Sequence, residues 1–111
     1  MENTPAALRQ KIAGHLSRTY GFSPEKIEIL VISAVDALAE QLADCRRDID
    51  AGDMGTLATS AHTLKGSLLN IGFQELGQRI DELGRDAAQG KERPYSSEFA
   101  ELEQELAELF S

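Results

Sequence analysis

Apolar residues recur along most of the chain at spacings of three and four, which place them on one face of an α-helix. No segment alternates between apolar and polar residues as a half-buried strand does. The first helical segment is predicted to start at Thr4-Pro5, an N-cap followed by proline at the first helical position, and to end at Gly21. Its apolar stripe consists of Leu8, Ile12 and Leu16.

Capping residues divide the middle of the chain into two further helices. Ser23-Pro24 repeats the start signal, and the predicted second helix continues to Gly52. Asp53 is placed to cap a third helix, which ends near Gly72. The stripe of the second helix is Ile27, Leu30, Val31, Ala34, Val35, Leu38, Leu42 and Ile49, and that of the third is Leu57, Ala61, Leu64 and Leu68.

Two more helices are predicted in the last third of the chain. The fourth ends before Gly90, and Pro94 then interrupts helical structure. Ser96 or Ser97 is the expected N-cap of the fifth helix. The stripe of the fourth helix is Phe73, Leu76, Ile80, Leu83 and Ala87, and that of the fifth is Phe99, Leu102, Leu106 and Leu109.

Amphipathic helices joined by short turns bury their stripes most simply against one another. We therefore predict an all-α fold, an antiparallel up-down four-helix bundle with an additional short N-terminal helix. Residues 1–111 are predicted to form a single domain, in which residues 1–22 pack on a bundle formed by residues 23–111.

Composition and charge narrow the classes of function. The 41% hydrophobic and 27% charged residues are typical of a globular chain. A net charge of -8 disfavours nucleic acid as a partner and favours a monomer. The absence of a long apolar run predicts a cytoplasmic protein with no membrane contact. Cys45 is the single cysteine, which excludes an intrachain disulfide and a zinc site built on several thiolates.

The polar side of the third helix carries the candidate chemistry. At about 100° per residue, His62 lies opposite the buried stripe. Its face has two glycines, each of which costs a helix roughly 1 kcal/mol relative to alanine, so Gly66 indicates a need for close approach. The residues that share this face are Gly55, Ala58, Thr59, Lys65, Gly66 and Leu69.

This arrangement suits phosphoryl chemistry. A neutral imidazole is nucleophilic near neutral pH, and Lys65, one turn along, can meet phosphoryl oxygens as a mobile positive charge. Gly66 leaves room for the group and for the protein that donates it. Leu69 fits equally well as a rim residue of the core or as a docking contact. His15 lacks such neighbours and is interpreted as structural.

The run Ala61-His62-Thr63-Leu64-Lys65-Gly66-Ser67 resembles the signature of histidine phosphotransfer (HPt) domains, most clearly between Ala58 and Gln78. The resemblance implies that His62 is the phosphoacceptor, that Lys65 steadies the phosphoryl group and that Gly66 clears space for it. It implies a relay from the aspartate of one receiver domain to that of another response regulator, fed by a sensor kinase that is often a hybrid one. The domain would then be a carrier, not an enzyme, with no cofactor and no metal of its own.

The sequence departs from the family pattern after Gly66, where Ser67-Leu68-Leu69-Asn70 is bulkier than the usual small residues. In the fourth helix of such domains a polar residue often lies near the phosphohistidine. The candidates here form a stripe of Gln78, Asp81 and Arg85, of which Arg85 is kept as a possible docking residue.

Three other functions compete with the relay. The dimerisation domain of a sensor kinase usually has an acidic residue and soon a proline after its histidine, whereas here Thr63 follows and the next proline is Pro94. A metal-dependent or hydrolytic enzyme lacks support because no second histidine stands four residues from His62. A non-catalytic helical adaptor, in which His62 is incidental, remains the alternative function.

Overall fold

The computed structural model describes residues 5–110 of the chain, with side chains from residue 7. It contains five α-helices: α1 (Pro5–Tyr20), α2 (Pro24–Ala51), α3 (Met54–Asn70), α4 (Gln74–Ala88) and α5 (Tyr95–Leu106). A 3-10 helix, Ala107–Phe110, follows α5. No strand occurs between residues 5 and 110, so the predicted all-α class is confirmed.

Two of the predicted helix starts are confirmed by their hydrogen bonds. The Ser23 hydroxyl accepts a bond from the Lys26 backbone N–H at 3.3 Å. The Asp53 carboxylate accepts bonds from the hydroxyl and the backbone N–H of Thr56, and these bonds lower the pKa of the Asp53 carboxyl. Gly52 ends α2 in the left-handed conformation, with φ 70°. The proposed N-cap Thr4 lies outside the described residues.

The predicted start of the last helix is wrong. Helix α5 begins at Tyr95, so both serines predicted as caps lie inside its first turn. Pro94 takes the cap position without a side-chain bond, and Ser97 donates its hydroxyl to the Pro94 carbonyl. Arg93, just before the cap, donates from its guanidinium to the Glu98 carboxylate at 2.7 Å, which links the residue before the helix to its first turn.

The predicted apolar stripe of the last helix is confirmed, although the α-helix gives way to a 3-10 helix before the stripe ends. After Leu106 the chain tightens into the 3-10 helix, in which residues three apart share a face. Leu106 and Leu109 therefore remain on the buried side, at 1% and 0% exposure.

The apolar stripes meet in one core. Helix α3 packs against α2 and α4, and α5 also packs against α2 and α4, so the four helices form a closed ring of contacts. Helix α1 packs on α2 and on the 3-10 helix, where Arg9 donates a hydrogen bond to the Leu109 carbonyl. Cys45 is fully buried in α2, and this burial raises the pKa of its thiol to about 12. Among the described helices, none is both long and apolar enough to cross a membrane.

Helices α3 and α4 approach each other closely at two glycines of α4. A Cβ atom on Gly84 would lie 2.9 Å from the Cβ of Ala61, and a Cβ on Gly77 would lie 2.7 Å from Cδ2 of Leu69. Both glycines are buried. The close approach places the polar face of α4 beside the His62 side of α3.

Alanine substitutions should separate glycines that permit this contact from glycines that do not. Gly66→Ala should raise the free energy of unfolding by about 0.5–1 kcal/mol, because a Cβ there meets no atom within 4 Å and alanine favours helix. Gly84→Ala should lower it by about 1–2 kcal/mol, because overpacking against Ala61 outweighs that gain. Denaturant unfolding of both variants measures the difference. Equal stability of the two would contradict the tight contact.

Candidate functional site

His62 is exposed in the middle of α3, on the side away from the core. Leu57, Ala61, Leu64 and Leu68 are all at most 1% exposed, as the helical spacing predicts. The imidazole is therefore available to a partner while its own helix is held firmly by the buried stripe.

A small open cavity of about 180 Å³ lies next to the imidazole, between α3 and α4. Its walls are formed by Ala58, His62, Asp81, Gly84, Arg85 and Ala88. Three of these residues have a methyl side chain or none, and their small size leaves the space open. The charged side chains of Asp81 and Arg85 border it. A cavity of this size can hold a tetrahedral anion but leaves little room for a nucleotide.

One carboxylate joins the two cations near this cavity. The Lys65 ammonium lies 3.3 Å from Oδ1 of Asp81, and Nε of Arg85 lies 2.9 Å from Oδ2 of the same residue. The side chains of Lys65 and Asp81 are only 25% and 26% exposed, whereas that of Arg85 is 72% exposed. The cluster has one more positive than negative charge. Lys65 is thus held by an ion pair to Asp81 of α4. The sequence had predicted a mobile charge at this position.

The face predicted to dock partners divides into two parts. Gly55 and Thr59 are exposed, and a Cβ on Gly66 would meet no atom within 4 Å, so this part of α3 is bare. Ala58 is half-buried and borders the cavity, while Leu69 is 37% exposed and packs against Gly77 of α4. Leu69 therefore serves the α3–α4 contact and still has exposed surface.

Only part of the polar stripe of α4 borders the cavity. Asp81 and Arg85 border the cavity, but Gln78 is exposed and is not part of its wall. Sequence reasoning named Asp81 only as one of three candidates and did not single out Gly84. Two signals were present: the acidic–basic pair Asp81 and Arg85 four residues apart, and the glycines Gly77 and Gly84 two turns apart on one helix face.

The second histidine lies elsewhere. The His15 ring packs against the turn between α3 and α4, so close that a Cβ on Gly72 would lie 2.8 Å from Cγ of His15. Gly72 has a φ of 93°, which favours glycine. This contact fits the structural interpretation of His15. In the part of the chain that the structure describes, no group of three acidic, histidine or cysteine residues is arranged to hold a metal.

A larger groove of about 730 Å³ lies between α1 and α2. It is lined mainly by apolar side chains, including Phe22, Ile27, Val31 and Ile32, and it shares no residue with the His62 cavity. No histidine lines this groove. The chemistry therefore points to the smaller cavity.

Comparison with protein families identifies a family that covers most of the chain. The family model described as the Hpt domain matches residues 30–111, most of the chain. The matched segment starts inside α2 and includes α3, α4, α5 and every residue of the His62 cavity, whereas α1 precedes it. No curated protein and no solved structure matched the chain.

Proposed function

The chain belongs to the Hpt domain family, whose members carry out histidine phosphotransfer in two-component phosphorelays, and from this premise we propose that His62 is its phosphoacceptor. The observation that supports this most is an exposed imidazole beside a small cavity with Lys65 and Arg85 close by. His62 accepts the phosphoryl group from a receiver-domain aspartate and passes it to the aspartate of another response regulator.

The transfer needs one nucleophilic ring nitrogen. The unprotonated nitrogen of the neutral His62 imidazole attacks phosphorus of the aspartyl phosphate, and an N–P bond forms as the P–O bond breaks. The electron pair of the P–O bond leaves with the receiver's carboxylate, and the other ring nitrogen keeps its proton until water removes it. In the next step a carboxylate oxygen of the second receiver attacks phosphorus, the N–P electron pair returns to the ring, and the ring takes one proton back from water, which restores the neutral imidazole.

The neighbours of His62 supply charge and access. We assign to Lys65 the stabilisation of the phosphoryl oxygens, and to Gly66 the bare surface over which the receiver approaches. The candidate docking residues are Gly55, Ala58, Thr59, Leu69 and Arg85. The partner supplies the remaining groups, so the domain is a carrier without a kinase activity or nucleotide site of its own.

We infer that α2 to α5 run up and down as an antiparallel bundle. The ring of contacts among these helices and the two- and three-residue turns after α2 and α3 support this order. Of the described residues, 23–110 then form the phosphotransfer bundle, and 5–22 pack on it. The expected partners are receiver domains and a sensor histidine kinase.

A direct test follows the phosphoryl group. The chain is incubated with receiver domains from the same organism, each labelled beforehand with radioactive acetyl phosphate. We expect at least one receiver to transfer label to the chain, as a bond that acid cleaves and base does not. If no receiver transfers label, or if the label is base-labile, the relay proposal fails and the adaptor function gains support.

Lys65→Ala should slow phosphoryl transfer about tenfold, because one charge-assisted contact to the phosphoryl oxygens is lost. The variant should unfold within about 1 kcal/mol of wild type, since the ion pair that it loses, with Asp81, is partly exposed to solvent. Lys91→Ala is the matched control, because Lys91 also pairs with an aspartate of α4, but that aspartate, Asp86, does not border the cavity as Asp81 does. Quench-flow rates for both variants with one receiver measure the effect. Equal rates would remove Lys65 from the site.

A further inference from the structure

Asp81 has no part in the proposed transfer, although its carboxylate lies between both cations of the site. We infer that Asp81 is a positioning residue that limits how tightly the phosphoryl group is held on His62 and so favours its onward transfer. The inference rests on the proposed role of His62. It deepens that role by naming the residue that sets the balance between retaining and releasing the group.

The two carboxylate oxygens are used separately. Oδ1 pairs with Lys65 at 3.3 Å and Oδ2 with Arg85 at 2.9 Å, so one side chain holds a cation from α3 and a cation from α4. Aspartate four residues before arginine is a favourable helical pair. The close approach of α3 and α4 brings Lys65 within reach of the same aspartate. Before phosphorylation, Asp81 therefore keeps both cations beside the cavity that it shares with His62.

Phosphorylation changes the balance of charge in this cluster. A phosphoryl group brings close to two negative charges into a space that Asp81 also borders. The group and the Asp81 carboxylate then compete for the same two cations, Lys65 and Arg85. Asp81 thus has two opposite effects: it positions the cations for the incoming group, and it raises the free energy of the phosphorylated state.

The second effect gives a signed prediction for Asp81→Asn. This variant keeps the shape of the side chain and removes its charge. At equilibrium with one receiver, the ratio of phosphohistidine to receiver aspartyl phosphate should rise about three- to tenfold over wild type. Glu82→Gln is the matched control, since it removes the same charge one residue along, at a side chain that pairs with Arg93 and not with the cavity cations. Its ratio should stay within twofold of wild type.

A double-mutant cycle distinguishes this role from a structural one. If Asp81 acts through the cations, the effect of Asp81→Asn should shrink to less than twofold in a Lys65→Ala, Arg85→Ala background. Asp81→Glu, which keeps the charge, should behave like wild type in the same equilibrium.

The outcomes separate the two proposals. If wild type accepts no label from any receiver, the proposed function itself fails. If wild type is labelled but the ratio for Asp81→Asn equals that for Glu82→Gln, or falls below wild type, the role of Asp81 is overturned while the relay stands. An effect of Asp81→Asn that persists undiminished without the two cations would also overturn it.

Discussion

Replacing His62 by glutamine is expected to reduce phosphoryl acceptance to background with every receiver that labels the wild-type chain. Glutamine is similar in reach and polarity, but its amide nitrogen is not a nucleophile at neutral pH. Because His62 is exposed and faces away from the buried stripe, the fold should be retained. Acid-labile label, measured after gel separation, and the circular dichroism spectrum report the two quantities.

His15→Gln is the matched control, since it removes the other histidine of the chain. His15 packs against the turn at Gly72, away from the cavity, so this variant should keep its label even if its melting temperature falls. Label retained by His62→Gln and lost by His15→Gln would move the phosphoacceptor to α1. Label retained by both variants would exclude histidine as the acceptor.

The helices follow from local features of the sequence. The spacing of apolar residues predicted which side of each helix is buried, and Ser23 and Asp53 marked helix starts because their side chains cap backbone groups within three residues. The position of His62 opposite the core follows from the same periodicity. Caps and apolar spacing involve residues that are close together in the sequence, so they can be predicted from it.

The contacts between α3 and α4 could not be predicted in this way. Lys65 and Asp81 lie on different helices, and they meet where α3 and α4 approach closely at Gly77 and Gly84. The serines predicted to cap α5 were misplaced for a similar reason: the ion pair of Arg93 with Asp86 of α4, at 2.7 Å, helps to fix where the helix begins. Periodicity along one helix contains no information on which residues of another helix it faces.

Gly66→Leu is expected to slow transfer at least a hundredfold while making the chain more stable. A Cβ at this position meets no atom within 4 Å, so a leucine is accommodated and favours helix by up to about 1 kcal/mol. Its side chain, four residues from His62, would stand on the same face as the imidazole. It would block the approach of a receiver to within the distance that in-line transfer needs.

Comparing alanine with leucine at position 66 separates the effect of blocked access from the effect of added helix stability. Gly66→Ala adds one methyl group and should keep most of the transfer rate, whereas Gly66→Leu should lose it, although both variants gain helix stability. Rates with a phosphorylated receiver and unfolding free energies of the two variants are measured together. A leucine variant that transfers at the wild-type rate would show that the receiver does not pass over Gly66. A loss of rate with unchanged receiver affinity would place the obstruction at the imidazole itself, because docking would then be complete and only the approach of phosphorus to nitrogen prevented.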